Sequence, residues 1–146
     1  MKPKHFLSRL DNERIVAAIA DAETRTSGEI RVWISSQARP DPLATAQARF
    51  GTLGMTRTRH RNAVLIFVAP RSRTLAVVGD SGIHGKCAPG FWQHVRDAMS
   101  AHLREGRYTE GVLQAIEIVG AELARHFPTD LTISPGERLP DDPIED

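Results

Sequence analysis

Cysteine is almost absent: one thiol, Cys87, in 146 residues excludes an internal disulfide framework. Together with the six histidines it forms no zinc-type Cys/His spacing. Net charge is also lacking, since 19 basic residues balance 18 acidic ones to a formal +1, which disfavours nucleic acid or anionic lipid as a partner. No run of eighteen apolar residues occurs, so no membrane span is expected. The start, "MKPKHFLSRLDNER", has charges with no apolar stretch behind them, unlike a secretory leader. A soluble, uncleaved, cytoplasmic, monomeric protein is the expectation, with an unidentified protein as its partner.

The chain is the size of one ordinary domain. Asp11 and the stripe Ile15, Ile19, Ala22 predict a capped helix over "NERIVAAIADAE". "TSGEIRVWIS" alternates, with Ile30, Val32 and Ile34 on one side and Glu29, Arg31 and Trp33 on the other, as a strand does. Pro42 opens a second helix carrying Leu43, Ala46, Phe50 and Leu53. "NAVLIFVAP" reads as a strand covered on both faces, and "RTLAVVGD" as its hairpin partner across "PRSR". Two helices follow, one with Trp92, Val95, Met99 and Leu103 and Gly106 as its C-terminal cap, the next with Val112, Ile116, Val119 and Leu123. This order implies an α/β fold, a three-layer α/β/α sandwich with a small mixed sheet. It gives one domain over residues 1–127 and a Pro-rich acidic tail over 128–146 that docks locally.

"GDSGIHGK", residues 79–86, carries three incompatible signals. A G-x-S-x-G elbow fails because its second glycine comes one residue early, and no protease-like scaffold surrounds Ser81. A phosphate loop closing on Gly85 and Lys86 would need glycine at Asp80 and a hydroxyl at Cys87. A cysteine phosphatase loop needs arginine where Gln93 stands. What survives is a carboxylate, Asp80, at the end of a strand.

Hairpin register then becomes informative. Facing residues 70 and 73 across the tip brings Asn62 opposite the Asp80–Ser81 end. The helical crossover from the first strand makes it a parallel neighbour of the second, so Glu29, Asn62 and Asp80 converge on one sheet edge. Two carboxylates and an amide suit a hard divalent cation, Ca²⁺ or Mg²⁺, and Asp141 or Asp142 of the tail reaches the same edge. The plainer alternative makes Glu29 and Asp80 turn acids paired with Arg57, Arg59 or Arg61. "RSR" at 71–73 lies at the opposite end, so the basic clusters do not merge into a nucleic-acid groove. His60, His84 and His94 lie near the acidic edge without helical zinc spacing. Cys87, close to a helix start, is either an acidic, reactive thiol or inert packing.

"TSGEIRVWI", "FGTLGMTRTRHRNAVLIFVAP", "AVVGDSGIHGK", "FWQHV", "EGRYTEGVLQAI" and "GAELARHFP" followed by "ERLPDD" together resemble the TPM domain family over about residues 10–142. The resemblance implies an α/β/α sandwich, calcium binding by acidic residues at a strand-loop edge in some members, acid phosphatase activity in a plant thylakoid member, and accessory roles beside membrane complexes in others. Carried over, the matches are Glu29 in "SGE", Asn62 in "RN", Asp80 in "GD" and Asp141 in "LPD". Glu137-Arg138 stands where relatives often read Asn-Glu. Many members also have an export signal and a C-terminal membrane span, which this sequence does not display. Three readings follow: a calcium-binding accessory or regulatory domain, a metal-assisted phosphatase of phosphomonoesters with Arg59 or Arg61 on the phosphoryl group, and a metal-free interaction module using Trp33, Phe91 or Trp92.

Overall fold

The computed structural model describes residues 9–129 and 138–145. Strand β2 (Ala63–Ala69) is the axis of the molecule, and all seven of its residues are buried. Its apolar run needs cover on both faces, and the pleat sends alternate side chains to two cores. Strand β1 (Glu29–Ile34) lies parallel to it with Glu29 opposite Ala63 and Ile34 opposite Val68. Strand β3 (Thr74–Gly79) is antiparallel on the other side, with Val64 opposite Gly79 and Ala69 opposite Thr74. That is the register expected from a "PRSR" tip, closed by the Arg73 amide donating to the Pro70 carbonyl.

Helices α1 (Arg9–Glu23), α4 (Phe91–Leu103) and α5 (Tyr108–His126) cover one face. There Ile30, Val32, Val64, Ile66 and Val68 meet Ile15, Ile19, Val95, Met99, Ile116 and Leu123 in one core. Helix α2 (Pro42–Thr52) covers the other face, where Trp33, Leu65 and Phe67 pack with Ala46, Phe50 and Met55. The result is the expected three-layer α/β/α sandwich. Asp41 caps α2, accepting from the Ala44 amide at 3.4 Å, with Pro42 pre-set for the first turn. Asp11 lies within α1 instead of capping it, so the start expected there was too late.

Two elements were not expected. Helix α3 (Ser81–His84) is a single turn on which Ile83 reaches the core; too short and glycine-containing to show periodicity, it was read as a turn. Strand β4 (Ile144–Glu145) adds a parallel edge beside β1, giving the order β3-β2-β1-β4. With Leu139 and Ile144 packed on the α2-side core, residues 138–145 lie along the domain as a strap. Residues 130–137, including Glu137, fall outside the described residues.

Candidate cation site at the acidic rim

The sheet brings Glu29, Asn62 and Asp80 to one rim, as the register requires. The Glu29 amide donates to the Asn62 carbonyl at 3.4 Å, and the Asp80 amide to the Ala63 carbonyl at 3.0 Å. All three residues are buried. Their side chains, however, take separate partners. The Asn62 amide nitrogen donates to Ser27 Oγ at 3.2 Å. Asp80 is held by Arg61, whose Nε and Nη2 donate to the two carboxylate oxygens at 2.7 and 2.8 Å. Asp80 also caps α3, accepting from the Ser81 amide at 2.7 Å. Such a fork saturates a carboxylate with charge-assisted bonds. The turn-acid alternative therefore describes Asp80, and Arg61 is engaged there instead of standing ready for a phosphoryl group. Arg59 lies exposed in the preceding loop.

The glycines of "GDSGIHGK" now have a reason. The Gly82 amide donates to the Arg61 carbonyl at 2.8 Å, and a Cβ at Gly82 would lie 2.5 Å from that oxygen. Residue 82 is small so that α3 can dock on the backbone of Arg61, which itself sits at φ 52°. Cys87 donates to the Ile83 carbonyl, and burial pushes its thiol up to about 11, which argues against the acidic alternative. Trp33 is 2% exposed and packs on Phe67 with ring centroids 4.4 Å apart. Phe91 and Trp92 are half-buried against the α1/α4/α5 core, and Leu43 is the one exposed large apolar side chain among the described residues. Trp33 is thereby a core residue, while Phe91 and Trp92 keep part of their surface exposed.

Glu29 belongs to a different constellation, built with Glu23 and the strap. Glu23 closes α1 and is 7% exposed; one of its oxygens accepts from the Ile30 amide at 3.0 Å. Glu29, 2% exposed, accepts from the Leu139 amide at 3.3 Å. Between them lies the Arg138 guanidinium, 3.8 Å from Glu23 and 3.6 Å from Glu29. Arg138 also donates to three backbone carbonyls: Gly28 at 3.0 Å, Glu23 at 3.2 Å and Thr26 at 2.8 Å. Asp141 approaches the same group, bonding to Glu23 and adding negative charge beside both glutamates.

Burial dominates the electrostatics. Desolvation, reinforced by Asp141 and Glu29, holds the Glu23 carboxyl up to about 9. Desolvation raises Glu29 to about 7 against the pull of Arg138 and the Leu139 amide. Two carboxyl groups and three carbonyl oxygens thus surround one positive group, with Asp141 beside the glutamates, an oxygen lining that a hard cation would also accept. In this arrangement no three acid, histidine or cysteine side chains among the described residues stand in metal-ligating geometry, and the guanidinium takes up the centre.

Glu23 and Arg138 were missed in the sequence. Glu23 had one signal: a carboxylate in the last turn of α1, where the helix dipole opposes it and no basic residue accompanies it, needs another reason to be there. Arg138 sits in a proline-rich segment without periodicity, and its one signal was that Glu137-Arg138 stands where relatives often read Asn-Glu.

The sequence pattern of the TPM domain matches residues 1–122. The chain belongs to the TPM domain family. Among solved structures, this TPM domain is similar to the BA42 protein from the psychrophilic bacterium Bizionia argentinensis, determined by NMR: 34% identity, 97% of this chain and 96% of that one covered, TM-score 0.86. The N-terminal domain of the cg2496 protein from Corynebacterium glutamicum shares the fold at 21% identity and TM-score 0.62, over 91% of this chain and 80% of that one. No curated protein matches the chain significantly. Among its described residues, no helix of the TPM domain is long and apolar enough to cross a membrane.

Proposed function

We propose that this TPM domain is a divalent-cation-binding accessory module, with Ca²⁺ as the ion and Mg²⁺ as the alternative, seated among Glu23, Glu29 and Asp141. The observation that carries the reading is the guanidinium of Arg138, held by three carbonyl oxygens between two buried carboxyls. A positive group at that point favours the ionised glutamates, which burial alone pushes toward their protonated form. Ca²⁺ suits the lining better than Mg²⁺, since it tolerates six to eight oxygens in irregular geometry while Mg²⁺ demands a near-ideal octahedron. Entry of the ion displaces Arg138, and with it the strap over residues 138–145. The strap is the output: a cation-dependent change in what the β1 edge presents to a partner protein.

The expected ligand set of Glu29, Asn62, Asp80 and Asp141 is revised in this reading. Glu29 and Asp141 stay, Glu23 is added, and Asn62 and Asp80 serve as supports of the rim. Less supports a metal-assisted phosphomonoesterase, because Arg61 is bound to Asp80.

Calcium titration followed by amide chemical shifts tests the proposal. Saturable shifts at residues 28–30 and 139–142, abolished by Glu29→Gln, are expected. Absence of shifts there at about 10 mM Ca²⁺, far above the 10⁻⁴–10⁻³ M of weak extracellular calcium modules, would exclude it.

A further inference from the structure

Without the strap, β1 would be the open edge of the sheet. The strap covers that edge through only two paired residues, Ile144 beside Trp33 and Glu145 beside Ile34, running parallel to β1. Proline sets this limit. Continued backwards, the same register puts Pro143 opposite Val32, where it has no amide to donate, and Pro140 interrupts the strap again three residues earlier. Two residues of pairing are a weak hold. Leu139 and Ile144 keep part of their surface exposed, so the strap belongs with the segments that open most readily.

The neighbouring surface is basic and incompletely answered. Arg31 precedes Trp33 by two residues on β1 and so shares its side of the sheet, the side that α2 covers. The guanidinium of Arg49, on α2, lies 5.0 Å from the centroid of the Trp33 ring, and that of Arg39 lies 5.2 Å from it. Arg39 is tied to Ser35 Oγ at 3.1 Å. By contrast, Nε of Arg31, Nε of Arg49 and Nε1 of Trp33 are buried with no hydrogen-bond partner among the described residues. Buried donors of this kind call for an acceptor. The strap supplies charge in its place: the register sets Asp142 opposite Arg31, where it favours a guanidinium that burial and the adjacent Arg49 disfavour.

We propose that the β1 edge docks an extended acidic segment of a partner protein, lying parallel to β1 with an aspartate or glutamate beside Arg31 and an aliphatic residue beside Trp33. The strap is a tethered copy of that ligand, since Asp142 and Ile144 already occupy the two positions at the required spacing. It is an imperfect copy. A partner segment without proline continues the ladder past Val32, and its carboxylate accepts from the orphaned Arg31 and Arg49 donors, so it outcompetes the strap. Main-chain bonds give such strand addition its affinity, and the acid and aliphatic positions give it selectivity. This names the partner that the cation reading left open, and it rests on that reading only for how the strap is released in the natural chain.

The probe is a short capped peptide without proline, carrying glutamate two positions before isoleucine among threonines, titrated into the full chain in calcium-free buffer and followed by amide chemical shifts. Ile144→Ser loosens the strap while leaving Arg138 in place, and Arg138→Ala is a second route to release. Both variants should show saturable shifts at residues 30–34 and bind the peptide about tenfold or more tighter than the natural chain. Glutamine in place of the peptide's glutamate, or Arg31→Gln added to Ile144→Ser, should each weaken binding about tenfold. Calcium should raise the natural chain toward the affinity of the variants; variants that bind while calcium changes nothing would remove the cation reading and support the docking site. No saturable shifts in either variant, or equal binding of the two peptides, would overturn the proposal. So would a dimer of Ile144→Ser that takes up no peptide, which would assign the edge to a second copy of the chain.

Discussion

The two ends of the sheet handle charge in opposite ways. At the amino ends of β1 and β2, charged groups are buried and answered inside the molecule: Asp80 by Arg61, and Glu23 and Glu29 by Arg138. At the carboxyl end of β2, Arg73 and Arg104 stand exposed in a cavity that no aspartate or glutamate lines among the described residues. Buried acids are answered by a partner or by a proton: Arg61 holds Asp80, while burial raises Glu23 and Glu29 to about 9 and about 7 even beside Arg138. Exposed arginines carry no such requirement. The rim thus keeps its charges inside the molecule, and the cleft leaves its arginines facing solvent.

The largest break in this comparison should come from Arg138→Ala, which leaves two buried glutamates and three carbonyls without their donor. About 3 kcal/mol of destabilisation at neutral pH is expected in calcium-free buffer, read by urea unfolding. Gly82→Ala forces a methyl against the His60 and Arg61 carbonyls and should cost about 2 kcal/mol through overpacking, with the loss concentrated in α3 by hydrogen exchange. At the other end Arg73→Gly should stabilise by about 1 kcal/mol, because it relieves the left-handed strain and breaks no ion pair. The contrast of sign between mutations at the two ends is the point of the series.

Acidity sharpens the same contrast. Glu23 and Glu29 bind their protons more tightly folded than unfolded, with values raised to about 9 and about 7 from 4.5. Between pH 4.5 and these values the native state holds more protons, so stability falls as pH rises. Unfolding midpoints should therefore decline from pH 5.5 to pH 8.5 in calcium-free buffer, and Glu23→Gln should flatten the slope. A stability that rises over this range would contradict the burial argument.

Much of the architecture was legible because its signals are local. The unbroken apolarity of Ala63–Ala69, the alternation of Glu29–Ile34 and the short "PRSR" tip fixed faces and register, and these carried Glu29, Asn62 and Asp80 to one rim. Side-chain allegiance was not legible. Arg61 and Arg59 are equivalent in a loop sequence, and only the left-handed turn at 61 brings that guanidinium onto Asp80. Arg138 reaches Gly28 across 110 residues, a pairing without any periodic trace. The four-residue α3 and two-residue β4 are likewise held by tertiary contacts, Ile83 in the core and Ile144 beside Trp33.

The most direct test of a cation seat filled by Arg138 is calcium affinity, measured by calorimetry at pH 7.5, for the natural chain and for Arg138→Ala. Removing the resident guanidinium should tighten calcium binding about tenfold or more, and saturating calcium should restore the stability that the substitution removes. Equal affinities in the two proteins, or no calcium binding by Arg138→Ala at about 10 mM, beyond even weak calcium modules, would contradict the account.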